Sequence, residues 1–388
     1  MAKVYEFPGD CVMNNKWGIL AVFVLLISLM SPKLNAVSTT EINRVRNKPV
    51  LEGRDFDVID AFVAEAVGEL VNTEDFSNVA KSRIVILQYK RSSESSAEEQ
   101  YAESFFESAY KYISSGLLKA EYSESKLRRF KIIINLLILI DGFEEPRFAD
   151  LAIDKLNDES SVIQYWAVHC LTNRGITDKL KNPNSPNNRE LADKIAISLA
   201  GLVYDVGSET LSLITNFASA LDTSQSRQLL WKIADMRISQ YADWSVKNEL
   251  VDAAVLRALS TKMSNSNSDR IESCRRFCQL FSYAIQRYVK GRDYLNDDQK
   301  HQLVSVLADT ERKCIGELLK RPQSIIRRAA GAGDYNTIMN EHDRLLGAKT
   351  KSGELLEKFK FNYGKNGDGR VRTLPLELPA PPPIEVAK

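Results

Sequence analysis

Apolar residues recur at intervals of three and four along most of this chain, the period of a helix that buries one face. In residues 55–70, DFDVIDAFVAEAVGEL, Val58, Phe62, Val63, Val67 and Leu70 fall near one side and predict a helix over Phe56–Leu70. The run RIVILQY in Val79–Lys90 is short enough for strand or helix and its setting favours helix, and the same period predicts helices over Ala97–Leu118, Ser125–Ile140, Glu190–Val203, Glu209–Leu221 and Ser224–Ala242. It continues over Val246–Met263, Arg270–Val289, Asp297–Leu319, Ser324–Ala330 and Tyr335–Leu346. Polar breaks such as Thr223-Ser-Gln and Asn296-Asp-Asp separate them and supply N-caps. The aromatic stripe Tyr101, Phe105, Ala109, Tyr112, Ile113 reads as core, and IIINLLILI, ending at Ile140, reads as a helix buried between neighbours.

The most legible stretch is PRFADLAIDKLNDESSVIQYWAVHCL, Pro146–Leu171. Pro146 suits a first helical position, where its missing N–H costs nothing. Phe148, Leu151, Ala152 and Leu156 then repeat at helical spacing, and Asn157-Asp158-Glu159 makes a turn. Ser160 or Ser161 can cap a second helix, with Val162, Tyr165, Trp166, Cys170 and Leu171 as its expected buried face and Trp166 packed toward the helix that ends at Ile140. Gly175 is expected to stop that helix in a left-handed conformation. Proline at the start, aspartate in the turn and an apolar second helix resemble a HEAT-repeat hairpin, which implies a stack of such units. Counted in pairs, the later helices recur at roughly forty to fifty residues, in or just above the range of HEAT and armadillo units.

The expected fold is therefore all-α: an irregular α–α superhelix of stacked antiparallel helical hairpins over residues 55–346, with disordered N- and C-terminal tails. Residues 37–54 read as a polar lead-in, and 347–388 as a polar and then Pro-rich tail that ends in LPLELPAPPPIEVAK. The Asn/Pro-rich stretch Asn173–Arg189 reads as a loop inserted between hairpins.

The N-terminus bears on location. Trp17–Met30 is uncharged and apolar, follows Lys16, and precedes Ser31-Pro32 and Leu34-Asn35-Ala36. That is the layout of a signal peptide over residues 1–36, cut between Ala36 and Val37. A span needs about twenty apolar residues, more than this segment has. An uncleaved anchor through Trp17–Met30 is the alternative, and a true start at Met13 would give a tidier leader. Either reading places the bulk of the chain outside the cytoplasm.

Charge and chemistry narrow the function. The chain has 388 residues, and 52 basic against 51 acidic side chains leave +1. It lacks the basic excess of a nucleic-acid protein. Beyond the leader stand Cys170, Cys274, Cys278 and Cys314. Cys274 and Cys278, one helical turn apart, are too far apart to bridge each other. Buried thiols and a link from either to Cys314 both stay open. His169 and Cys170 are adjacent and point about 100° apart, so they form no dyad. His301 and His342 read as surface positions. No nucleophile elbow, phosphate loop, metal or dinucleotide motif occurs, so no cofactor, metal site or catalytic residue is expected. Gly364–Val371, GKNGDGRV, has the Asn and Asp of a calcium loop without its first and last carboxylates, and reads as a turn. What remains is an exported helical scaffold whose partner is another protein, with membrane contact only through the N-terminal segment. An envelope enzyme or ligand-binding all-α domain is the alternative.

Overall fold

Side-chain caps set where several helices begin. In the computed structural model, which describes residues 39–182, 186–264 and 269–383, Ser125, Asn173, Thr223, Asn296 and Asp334 each accept a backbone N–H at the start of a helix. Each bond satisfies one donor that the helix itself leaves unpaired. The helices are α1 (Thr39–Arg46), α2 (Gly53–Asn72), α3 (Val79–Gln88), α4 (Glu98–Glu121), α5 (Lys126–Phe143), α6 (Ala149–Ile153, entered by a 3-10 turn at Pro146–Phe148) and α7 (Ser161–Thr172). Next come α8 (Arg174–Leu180), α9 (Pro186–Ala200), α10 (Ser208–Ala220), α11 (Ser224–Ala242), α12 (Val251–Met263) and α13 (Arg270–Lys290). After α14 (Asp297–Asp309) a π-helical stretch, Thr310–Ile315, leads into α15 (Gly316–Leu319). The chain closes with α16 (Ile325–Ala332), α17 (Tyr335–Leu346), a minimal hairpin of β1 (Gly347–Ala348) and β2 (Lys351–Ser352), and α18 (Glu354–Phe359).

These helices stack as two rows. One row runs α5, α7, α10, α12 and on to the π-helical stretch; the other runs α6, α9, α11, α13, α17. Each member packs on the next in its row, and hairpin partners such as α6 with α7, α10 with α11 and α12 with α13 join the rows. The fold is all-α, as the apolar period predicts, and one continuous core runs between the rows. At its N-terminal end Phe105, Phe106, Phe143 and Phe148 meet edge-on or stacked with centroids 5.1–6.2 Å apart. Burying each such ring is worth about 1.5–3 kcal/mol.

Several expectations need correction. The described part of the lead-in is ordered: α1 buries Ile42 and Val45, and Lys48 pairs with the buried Asp55 carboxylate at 2.8 Å. The stretch after α7 is not simply a loop, because Asn173 ends α7 and its side chain caps α8 at once. Gly175 lies inside α8, not at a left-handed cap; a Cβ there would stand 2.6 Å from the Glu144 side chain. The buried face of α7 is Ile163, Ala167, Val168, Cys170 and Leu171, while Val162 is 45% exposed and Tyr165 and Trp166 are half-buried. The apolar period was right and its phase was rotated by about one residue, because α7 has apolar side chains on more than one side.

The largest departure is at the C-terminus. Asn362 at one end and Leu376–Leu378 at the other are bonded to α13 across an exposed turn, with Phe361, Tyr363 and Leu378 buried, so the described part of the expected tail is a strap.

Candidate functional site

In α13, RIESCRRFCQLFSYAIQRYVK, the apolar residues Phe277, Leu280, Phe281, Ala284 and Ile285 face the neighbouring helices and are fully buried. Arg275, Gln279, Ser282, Gln286 and Lys290 follow one another at three- and four-residue steps, which places them on one stripe. A polar stripe on so deeply buried a helix needs partners, since an unpaired buried polar group costs about 1–3 kcal/mol.

The strap supplies them. Arg275 holds its entry, donating from Nε to the carbonyl of Asn362 at 2.7 Å and from Nη2 to Asn362 Oδ1 at 2.8 Å. A tight turn follows, with Tyr363 and Arg372 paired through Tyr363 N–H to Arg372 O at 2.8 Å. The strap then runs along α13 in the same direction as the helix. Gln279 Oε1 accepts the N–H of Leu376 at 2.8 Å, and its Nε2 donates to the Leu376 carbonyl at 3.3 Å. Gln286 Oε1 accepts the N–H of Leu378 at 2.7 Å, and its Nε2 donates to the same Leu376 carbonyl at 3.1 Å. Lys290 donates to the Leu378 carbonyl at 2.6 Å and pairs with Glu377 at 2.9 Å. From the α11–α12 connection, Trp244 Nε1 donates to the Pro379 carbonyl at 3.1 Å. Two glutamine amides thus do for an extended segment what a neighbouring strand would do in a sheet. The recognition reads main chain.

Behind the groove lies a polar cluster. Trp244 stacks its ring on the Arg287 guanidinium, 5.1 Å from carbon to centroid, and Arg287 pairs with Glu249 at 3.2 Å. Both charged groups are 1% exposed, and Arg287 Nε and Nη1 have no hydrogen-bond partner. Burial pushes the Glu249 carboxyl above the usual range. Beside it Arg237 grips Asp252 with Nε and Nη2 at 2.6 and 2.9 Å and donates to the carbonyls of Lys247 and Asn248, which fixes the loop bearing Trp244.

Ser282 is the remaining member of the stripe. Its Oγ lies 2.8 Å from His342 Nε2, and His342 Nδ1 lies 2.9 Å from Asp343 Oδ1. His342 is buried, not at the surface as expected, because α17 turns that face onto α13. Desolvation pushes its pKa below the usual histidine value, with the Asp343 carboxylate opposing. Serine, histidine and aspartate in this order have the connectivity of a nucleophile, base and orienter. Ser282, however, sits mid-helix with no exposed surface, and its Oγ accepts a hydrogen bond from Gln286 Nε2 at 2.9 Å. A substrate carbonyl has no approach to it. The trio orients Gln286, and through it the strap.

The other singled-out residues fall elsewhere. Trp17–Met30 and the expected cleavage site at Ala36 and Val37 lie outside the described residues. His301 is exposed. His169 contacts Asp141 at 2.9 Å while Cys170 Sγ donates to the Leu137 carbonyl at 3.1 Å, so the adjacent pair serves two separate partners. Cys170, Cys274, Cys278 and Cys314 are buried free thiols, and burial pushes Cys274 up to about 12 and Cys314 up to about 11. Gly364–Val371 is a hairpin turn whose Asp368 side chain accepts the N–H of Arg370 at 3.0 Å. Among the described residues no cluster of three or more His, Cys, Asp or Glu is arranged for a metal, and no helix is long and apolar enough to cross a membrane.

No family model, curated protein or solved structure matches the chain. Sequence reasoning missed the groove, although a signal was present: Gln279, Ser282 and Gln286 keep helical spacing inside a run otherwise apolar on the neighbouring faces.

Proposed function

We propose that the protein is an exported helical scaffold that engages another protein by holding an extended segment of it along α13. One observation carries this reading: Gln279 and Gln286 together bind both main-chain polar groups of Leu376 and the N–H of Leu378, a mode indifferent to most side chains. The two-row stack supports it as well, because stacked hairpins leave long faces for contacts. The opening Pro146 and the Asp158 turn of the α6–α7 hairpin support kinship with HEAT units. An enzyme or small-ligand reading has only the Ser282–His342–Asp343 alignment in its favour, and that alignment is closed.

The test uses the full-length chain with Leu378→Ala, to loosen the strap, against an array of extended peptides. Saturable binding that disappears in the added Gln279→Ala/Gln286→Ala background is expected. Absence of any binder, with circular dichroism unchanged, would remove the reading. Export is tested separately by sequencing the mature N-terminus: a start at Val37 fits a cleaved signal, an intact leader fits the anchor, and a cytoplasmic chain refutes both.

A further inference from the structure

We infer that the strap is an in-chain competitor for the α13 groove, and that the partner segment it holds off is an extended peptide with an acidic residue, a buried leucine and a proline in succession. The inference rests on the scaffold reading above and names the ligand and regulation of that same site. Within residues 374–383 only Leu378 is fully buried; Leu376 is 43% exposed and the Glu377 side chain 86% exposed. The remaining hold is on main chain, at Leu376 N–H and C=O, Leu378 N–H and C=O, and Pro379 C=O. Pro375 and Pro379 flank these positions, need no acceptor for an N–H, and stiffen the segment in an extended form before it docks. Lys290 adds a preference for a carboxylate just before the leucine, through its pair with Glu377.

The strap can leave without disturbing the helical rows. Its root is fixed by the buried Phe361 and Tyr363, with Tyr363 Oη bonded to the Leu346 carbonyl at 3.0 Å. Beyond that root the 365–371 turn is exposed, with Gly364 and Gly369 in left-handed backbone at φ of 94° and 81°. The bonds to Gln279, Gln286, Lys290 and Trp244, the buried Leu378 side chain and the half-buried Leu374 beside Gly347 then hold it. A cavity of about 760 Å³ opens where the strap ends, walled by Val289, Lys290, Arg292 and Asp293 on one side and by Glu377–Pro381 on the other. It offers an incoming segment contact with the end of α13 before the strap has moved.

Tethering sets the threshold. A strap on a short linker competes at an effective concentration on the order of millimolar, so if the strap segment's own Kd for the groove is about 100 μM, any competing ligand binds about tenfold more weakly than to an open groove.

The test is fluorescence anisotropy of a labelled peptide, TLPLELPAPPP, against full-length chains. Leu378→Ala is expected to bind it at least tenfold more tightly than the unsubstituted chain, and Glu377→Lys, a surface change that leaves folding alone, several-fold more tightly. A peptide whose leucine before Glu-Leu-Pro is kept but whose Leu-Pro leucine is aspartate should lose binding. Equal affinity for the unsubstituted and both substituted chains would show that the strap does not compete, even if the groove binds peptides. No binding to any chain, with native circular dichroism, would instead remove the scaffold reading itself. Equal binding of the aspartate peptide would overturn the leucine rule. Concentration-dependent dimers abolished by Leu378→Ala, with no gain in peptide affinity, would assign the groove to a second copy of the chain and overturn the proposal.

Discussion

The helices α7 and α13 invert what their compositions suggest. The sequence of α7, SVIQYWAVHCLT, is nearly all apolar, yet it leaves Val162 exposed and Tyr165 and Trp166 half-buried. By contrast α13 carries Arg270, Arg275, Arg276, Arg287 and Lys290, yet every residue from Phe277 to Tyr288 is buried. The difference lies in the neighbours. The helix α7 is covered mainly by α5, α6 and α10, whereas α13 is enclosed by α11, α12, α14 and α17 and roofed by the strap. Burial of a polar stripe is affordable only where each group meets a partner, and α13 meets them in glutamine-to-main-chain bonds, the Ser282–His342 contact and the Arg287–Glu249 pair.

The sharpest way to break this contrast is to remove a counter-charge beneath α13. Glu249→Ala leaves Arg287 charged, buried and stripped of its carboxylate, and is expected to cost about 3–5 kcal/mol in chemical denaturation. A loss below about 1 kcal/mol would mean that Trp244 and Tyr241, whose ring centroid lies 5.8 Å from the guanidinium carbon, alone stabilise the guanidinium. Next in size is Gln286→Ala, which orphans the Leu378 N–H and is expected to cost about 1–3 kcal/mol. Hydrogen exchange gives the more telling readout: the Leu376 and Leu378 amides should lose protection together, as the strap lifts as a unit. Protection retained at both would show that the glutamines are bystanders.

On the α7 side the expected effects shrink. Trp166→Ala removes a half-buried ring that meets Tyr165 edge-on and His169 at a tilt, with centroids 5.9 and 5.3 Å away, and is expected to cost about 1–2 kcal/mol. A fully buried tryptophan would cost about 3–5 kcal/mol. A thermal-melt series giving the larger figure would restore the face assigned from sequence and contradict the exposed one.

These two helices also mark how far sequence carries. Period was legible almost everywhere: the bounds of α11 and α17 match those read from the apolar spacing and caps. Phase was not legible in α7, since a helix apolar on three sides offers no unique buried face and the choice falls to α5 and α10. Nor was the strap legible. LPLELP reads as a solvated polyproline stretch because its holding bonds involve its own main chain, which leaves no trace in side-chain pattern. The groove's half of the contact did leave one, in Gln279, Ser282 and Gln286. A polar stripe on an otherwise core helix is a call for a partner, and the partner here came from about a hundred residues downstream.

The smallest predicted effect separates the two histidines that accompany these helices. On α7, the Asp141 carboxylate hydrogen-bonded to His169 raises its pKa above the usual value. Against α13, burial lowers that of His342, with the adjoining Asp343 carboxylate opposing and Ser282 the neutral neighbour on the other ring nitrogen. The unfolded chain titrates both near 6.5. For His169 the folded state binds the proton more tightly, so its stabilisation is full below 6.5 and is lost as pH rises through the raised value. For His342 the unfolded state binds the proton more tightly, so stability is full above 6.5 and is lost as pH falls toward the lowered value. Subtracting the urea stability of His169→Gln from that of the unsubstituted chain should give a difference that falls with rising pH just above 6.5. The same subtraction with His342→Gln should give one that rises with pH just below 6.5. A His169 difference that rises with pH would mean that its ring is not where it has been placed; because Asp343 stands at the edge of the α13 interface with its side chain 47% exposed, a His342 slope of the wrong sign would show that its carboxylate outweighs burial there.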